Sequence, residues 1–307
     1  MTRAVVAILL ASLASGFFSQ PIDAQATVPF RAVVDLVKVD VTVTDGERRF
    51  VTDLTQNDFV VFEDNRPQVI TFFEQTGIPL AVSLVMDTSA SMQESLGLAQ
   101  ESAIGFVNAL GPDDVATLID FDSRVQVRQP FTTDHARLEE AIRTTTAGGA
   151  TALYNAVYIA LRELDKKVPS DASGELRRRA IVLLSDGADT SSLLTFEEVL
   201  EAAVRSGVAI YAIGLGSGQS PNDTERNAQY RLRRLTRQTG GRAFFPLQAR
   251  ELLGVYQEIR DELSKQYTLA YESSNKRRDG GYRQIAIRVT RHEAVARTRP
   301  GYYAPSR

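Results

Sequence analysis

The chain has 307 residues, a formal net charge of −3 and no cysteine. The near-neutral, slightly acidic balance argues against a nucleic-acid binder, whose domains are usually basic, and the missing cysteine excludes disulfides and zinc–thiolate centres. With 43% hydrophobic and 24% charged residues the composition is globular, and the length suits two domains.

Residues 1–26 read as a secretory signal peptide: Arg3 gives the positive start, Ala4 to Leu13 the apolar stretch, and Ala24-Gln25-Ala26 a small-x-small cleavage site. That stretch is too short to span a bilayer as a helix. The reading predicts a mature chain without a transmembrane segment, secreted or periplasmic.

Residues 30–75 carry β patterning. Val37, Val39, Val41 and Val43 alternate with polar residues, the period of a half-buried strand. Asp45-Gly46 is a hairpin signal. Phe59 to Phe62 and Gln68 to Phe73 then form a strand pair about Asp64-Asn65. Alone this module is too small to enclose a core.

A different pattern begins near Ile78-Pro79 and runs to about residue 265. Val82 to Met86 is an apolar run long enough for a strand buried on both faces, as in a parallel sheet. It ends in Asp87-Thr88-Ser89-Ala90-Ser91, and helix-type sequence follows from about Met92 to Leu110. Val115 to Phe121 and Val125 to Phe131 fit strands, with a turn at Asp122-Ser123. Helical patterns occupy about 134–145 and 151–165, and Lys166 to Arg179 reads as an exposed loop. Ala180 to Ser185 is a second buried strand, ending at Asp186-Gly187. Thr195 with Glu198 opens a helix to about 206 as a capping box. A strand at Val208 to Gly214, a helix at about 224–239, a short strand at Arg242 to Phe245 and a helix at about 249–264 complete the unit. Strands alternating with helices imply a doubly wound, mostly parallel α/β sheet.

The tail, residues 266–307, returns to β sequence: Tyr267, Leu269 and Tyr271 alternate, Asp279-Gly280-Gly281 turns, and Ile285, Ile287 and Val289 alternate again. These strands are expected to pair with those of residues 30–75, making a small antiparallel β-sandwich with the α/β unit inserted in it.

The chemistry concentrates at two strand ends and one loop. Asp87, Ser89 and Ser91 sit at the carboxyl end of a central strand, where open α/β sheets place ligands. Asp186 closes a second such strand, and Gly148-Gly149-Ala150-Thr151 is a glycine-hinged helix entry offering a third hydroxyl. Carboxylates and hydroxyls are the ligands that a hard divalent cation wants. Helix capping alone needs one such side chain and does not explain Asp186. The set resembles the metal-ion-dependent adhesion site of von Willebrand factor type A domains. That resemblance implies that Ser89, Ser91 and Thr151 touch the metal and that Asp87 and Asp186 hold it directly or through water. One departure is that Thr151 follows the glycine pair by one extra residue. The whole layout is similar to a group of secreted bacterial proteins with a type A-related domain.

The function this implies is a secreted, non-catalytic protein-binding module. It captures a partner's Asp or Glu through Mg²⁺, with Mn²⁺ or Ca²⁺ as alternatives. Two other readings stand beside it: an envelope-assembly module binding through its sandwich, and a Mg²⁺-dependent phosphoester hydrolase, for which no general base or nucleophile presents itself. The remaining candidates read as ordinary features. His135 and His292 are expected at the surface, and Asp120 and Asp122 as turn residues. Asp189 lies either near the metal or in a polar loop, and the loop is preferred. Gly214 to Gly218 lacks the phosphate-loop pattern. Arg177 to Arg179 and the arginines of 231–237 are expected as solvated faces. Asn222-Asp223-Thr224 matches a glycosylation acceptor.

Overall fold

The computed structural model describes residues 36–75, 77–168, 176–186, 188–215 and 222–306. The signal-peptide reading of residues 1–26 lies outside these, as do the middle of the 166–179 loop and Gly216 to Gly218.

The first four strands are β1 (Leu36–Thr44), β2 (Phe59–Glu63), β3 (Arg66–Gln68) and β4 (Ile70–Glu74). In β1 the four alternating valines are all buried, as the period-2 pattern requires. The turn after it is closed by the Asp45 carboxylate, which accepts from the Glu47 and Arg49 amides at 2.9 Å each. Arg48, not Gly46, takes the left-handed conformation there. Between β2 and β3, Asp64 and Asn65 both have positive φ (47° and 64°), the requirement of a type I′ hairpin.

The α/β unit runs β5 (Leu80–Asp87), α1 (Leu96–Asn108), β6 (Val115–Phe121), β7 (Val125–Thr132), α2 (His135–Arg143), α3 (Leu153–Lys167), β8 (Arg178–Ser185), α4 (Phe196–Ser206), β9 (Ala209–Gly214), α5 (Asp223–Thr239), β10 (Ala243–Phe244) and α6 (Leu252–Lys265). Its six strands lie in the order β10-β9-β8-β5-β6-β7. Every neighbouring pair is parallel except β6 with β7. All eight residues of β5 and of β8 are buried, because helices cover both faces of the sheet. One face packs Leu84, Met86 and Leu118 against Phe106 of α1, Leu138 of α2 and Tyr256 of α6. The other packs Val85, Ile119 and Leu183 against Val157 of α3, Val199 of α4 and Leu235 of α5. Each such side chain contributes about 1.5–3 kcal/mol of burial.

The last strands are β11 (Tyr267–Glu272), β12 (Tyr282–Val289), β13 (Val295–Arg297) and β14 (Gly301–Tyr303). They interleave with the first four in two antiparallel sheets, β13-β1-β11-β4 and β14-β12-β2-β3. Between the sheets lie Val39, Val41, Phe59, Val61, Tyr267, Leu269 and Tyr271. The expected sandwich of amino- and carboxyl-terminal strands is present. The segment Gln68 to Phe73 is not one strand, however: it breaks at Val69, 79% exposed, and crosses from the sheet of β2 to the sheet of β11. Such corners are how strands switch sheets.

β11 is buried on both faces. Tyr267, Leu269 and Tyr271 enter the sandwich core, while Thr268 faces the α/β unit and accepts from the Arg178 guanidinium at 3.1 Å. Arg178 also donates to the carbonyls of Gln75, Gln266 and Leu263. Arg179 reaches Asp165 at 2.8 Å and the Ser206 carbonyl at 2.5 Å. Arg178 and Arg179, only 3% and 9% exposed, are therefore not the solvated run their sequence suggested. They are buried where every carbonyl they meet needs a donor.

Candidate metal centre

The sheet order reverses at β5: the chain leaves it for β6 on one side, and β8 lies on the other. Loops diverging from this point open a crevice at the carboxyl ends of the strands, and Asp87 ends β5 in it. Pairing of Met86 with Leu184 brings the ends of β5 and β8 side by side, so the residues that follow, Asp87 and Ser185, are neighbours. Ser185 donates its hydroxyl to Asp87 Oδ2 at 2.5 Å. The backbone N–H of Ser89 donates to Asp87 Oδ1 at 2.9 Å.

The hydroxyls complete a chain between the two carboxylates. Ser89 Oγ and Ser91 Oγ are 3.1 Å apart, and Ser91 donates to Asp186 Oδ1 at 3.0 Å. A 3₁₀ turn over Ala90–Glu94 sets the two serines on one side, and Thr88 pins the turn by donating N–H and hydroxyl to the Phe121 carbonyl. Four of the five predicted residues are thus joined in one polar cluster.

Thr151 arrives on a separate loop. Gly148 N–H donates to Thr88 O at 2.8 Å and Ala90 N–H to Gly149 O at 3.1 Å, clipping that loop to the serine turn. Gly149 has φ +76°, and a Cβ there would stand 3.0 Å from Ser123 Oγ and 3.2 Å from Asp122 Cβ, so only glycine fits. Ala152 N–H then bonds Asp122 O at 2.8 Å. Thr151 itself is 6% exposed; its amide donates to Thr190 Oγ1, and its carbonyl accepts from the Thr190 and Ser191 amides. Among the described residues its hydroxyl makes no hydrogen bond with the other four.

The electrostatics are one-sided. Burial pushes the Asp87 carboxyl up to about 6, the Asp186 charge adds to this, and the hydrogen bonds from Ser185 and Ser89 only partly oppose it. Asp186 is also raised by burial, against the Ser91 hydroxyl. Among the described residues neither carboxylate has an ion pair with Lys, Arg or His, and no group of three His, Cys, Asp or Glu that could hold a metal forms here or elsewhere. The donor set is two carboxylates plus short hydroxyls, which fits a hard divalent cation and not a soft one.

Nearby acidic residues prove structural. Asp120 is no turn residue: it is a buried strand residue paired with Arg128 at 2.8 Å. Asp122 closes the β6–β7 turn by accepting from Arg124 N–H at 2.7 Å. Asp189 accepts from the Tyr154 amide at 3.2 Å and the Ser192 hydroxyl at 2.5 Å, capping α3 from a distant loop. Asn222, the possible glycosylation acceptor, is the N-cap of α5 and bonds Glu225 N–H at 2.9 Å. His135 is half-buried at the start of α2 rather than at the surface, whereas His292 is exposed. Sequence reasoning missed Ser185 and Thr190; the only signal for Ser185 was a small polar residue closing an otherwise apolar strand.

A sequence model of the von Willebrand factor type A domain matches residues 82–188. An uncharacterized protein of Borreliella burgdorferi is 28% identical over 163 residues, covering 50% of this chain and 44% of that protein. The chain thus spans less than half the length of that relative. Among solved structures, a von Willebrand factor type A protein from Catenulispora acidiphila is 12% identical with a TM-score of 0.53, over 88% of this chain and 74% of that one. Proximal thread matrix protein 1 from the mussel byssus, solved with a zinc-occupied MIDAS motif, is 14% identical with a TM-score of 0.51, over 62% and 49%. At these identities the structural likeness is one of fold.

Proposed function

Residues 82–188 of this chain are a von Willebrand factor type A domain, and from that premise we propose that the loops at the carboxyl edge of its sheet hold a divalent cation through which the protein binds a partner. Asp87, Ser89, Ser91, Thr151 and Asp186 are the residues that would hold it. The observation that carries this is the pair of carboxylates with no cationic side chain paired to them among the described residues, Asp87 wholly buried and linked to Asp186 through Ser89 and Ser91. Two ionised carboxylates roughly balance one divalent ion. The zinc found in the equivalent motif of the mussel thread protein supports a divalent metal; the all-oxygen ligand set favours Mg²⁺, then Mn²⁺ or Ca²⁺.

A divalent cation held by these residues, some of them through water, would supply a position for an oxygen from another molecule. The chain's own residues do the rest. Ser185 and the Ser89 amide orient Asp87, and backbone bonds clip the Gly149 loop, which carries Thr151, to the serine turn. A partner's Asp or Glu is the natural donor, because a negative oxygen gains Coulomb attraction where water is partly excluded. No catalytic step is assigned. The same reading takes residues 78–265 as the binding domain, residues 30–75 and 266–307 as its sandwich, and the mature protein as secreted or periplasmic.

The test is calorimetric titration of Mg²⁺ and Mn²⁺ into the EDTA-stripped full chain. The wild type is expected to show saturable one-site heat and Asp87→Ala none, with the fold retained by circular dichroism. Equal heat from Asp87→Ala removes the proposed site.

A further inference from the structure

Two depressions continue from these loops along α5. The first, about 240 Å³, is walled by Leu153, Tyr154, Asp189, Asn227 and Arg231. The second, about 410 Å³, is walled by Phe196, Asn227, Tyr230, Arg231 and Arg234. Asn227 and Arg231 are common to both, so the two meet at the Arg231 guanidinium. The first is walled by residues that follow two of the metal-set positions in the chain. Tyr154 lies three residues beyond Thr151 and Asp189 three beyond Asp186, and the Asp189 carboxylate binds the Tyr154 amide.

Arg231 differs from two other arginines of the same helix. Arg226 is paired with Asp223 and Arg234 with Glu197. Arg231 is exposed and has no carboxylate partner among the described residues. Neutral contacts hold it instead: it donates to Tyr154 Oη at 2.8 Å and lies 5.9 Å from the Phe196 ring. One hydrogen bond leaves most of the guanidinium fork unused, and a fork held in place loses little entropy on meeting a carboxylate. The carboxylates in the walls are already engaged, Asp189 by Tyr154 N–H and the Ser192 hydroxyl and Glu197 by Arg234. Beside Arg231 the second depression carries apolar surface, with Tyr230 63% exposed and Phe196 in its wall. Tyr and Arg beside an apolar shelf are the residues that dominate protein interfaces.

We propose that Arg231 is a second anion contact for the partner: an extended acidic segment places one carboxylate at the metal cluster, a second on Arg231, and an apolar side chain against Tyr230. This rests on the metal-dependent reading above. It narrows the partner from any exposed Asp or Glu to a segment with two acidic side chains and an apolar one.

The probe is a fluorescein-labelled peptide of alternating aspartate and leucine, followed by anisotropy on the full chain in saturating Mn²⁺. Arg231→Glu is expected to weaken it about tenfold while Mn²⁺ heat is unchanged, and Arg231→Lys to recover much of the loss. Arg233→Glu makes the same charge change on α5, but Arg233 stacks on Phe245 at 4.3 Å, outside both depressions, so it is expected to leave peptide affinity intact. Wild-type affinity in Arg231→Glu, equal weakening by Arg233→Glu, or no peptide binding by the wild type overturns the proposal. The two readings fail separately. Peptide binding that survives EDTA yet is lost in Arg231→Glu sinks the metal reading and keeps the Arg231 contact. Mn²⁺ heat with peptide binding indifferent to Arg231 does the reverse.

Discussion

Glu63 in the sandwich and Asp87 at the sheet edge are both buried carboxylates, 2% and 0% exposed, and they are held in opposite ways. Glu63 accepts from the hydroxyls of Tyr271 and Tyr302 at 2.9 Å each and of Ser273 at 2.6 Å. Its countercharge is Arg283, 3.6 Å away and as deeply buried. Glu262, at the seam between sandwich and α/β unit, repeats the scheme with Arg297, Tyr211 and Thr42. Asp87 has hydroxyl and amide donors too, but its charged neighbour is another carboxylate. A fold that needs a buried carboxylate for its own architecture brings the cation with it. Where no cation accompanies it, burial pushes the carboxyl up to about 6, at a cost in stability that the proposed metal would offset.

The comparison breaks most visibly from the structural side. Arg283→Met keeps the volume and removes the guanidinium, leaving Glu63 buried without a countercharge. Such half-broken buried pairs cost about 3–5 kcal/mol, readable as a lower urea midpoint. Removing the partner as well, Arg283→Met with Glu63→Leu, is expected to recover much of that loss.

Asp87→Asn has the opposite sign. The folded-state value, about 6, lies above the ordinary 3.8, so ionisation opposes folding; the cost begins above pH 3.8 and is complete once the pH exceeds about 6. In EDTA at pH 7 the variant is expected to be more stable than wild type, by at most about 3 kcal/mol. Saturating Mg²⁺ reverses the order, because only the wild type gains binding free energy on folding. Urea unfolding with and without metal tests both halves. A variant less stable than wild type in EDTA would place Asp87 with Glu63 as an architectural group.

Ser185→Ala sharpens the comparison at lower cost. Its hydroxyl fixes Asp87 Oδ2, and groups that orient a metal ligand are typically worth 10–100-fold in affinity. A loss of about tenfold in Mg²⁺ affinity is expected by calorimetry, with the fold unchanged.

How much of this was legible in the sequence follows the range of each signal. The strand–helix alternation and the acids closing β5 and β8 are local patterns, and they gave the sheet and four residues that the structure brings into one cluster. Ser185 was invisible because a single serine at a strand end acquires meaning only from the register of β5 on β8. Arg178 and Arg179 were misread for the same reason. A run of arginines is normally solvated, and only distant segments supply the acceptors that permit burial: Gln75 and the end of α6 for Arg178, Asp165 of α3 and Ser206 of α4 for Arg179. The break at Val69 also depends on a distant partner, since Gln68 is tied to Ser274.

Asp189 is the case where two sequence readings were both incomplete, and it sets the smallest effect. It belongs neither to the polar cluster nor to an idle loop: its carboxylate satisfies the Tyr154 amide at the start of α3, beside Ser192 Oγ on the Asn155 amide, where the N-cap residue Ala152 offers no side-chain acceptor. Losing a cap costs about 1 kcal/mol. Asp189→Ala is therefore expected to lower the urea midpoint slightly and to leave Mg²⁺ affinity within about twofold, a shift smaller than that from losing a ligand-orienting group such as Ser185. A tenfold loss of metal affinity in Asp189→Ala would instead show that its charge is felt at the cluster, and would add a third carboxylate to the two that Glu63 and Glu262 set in relief.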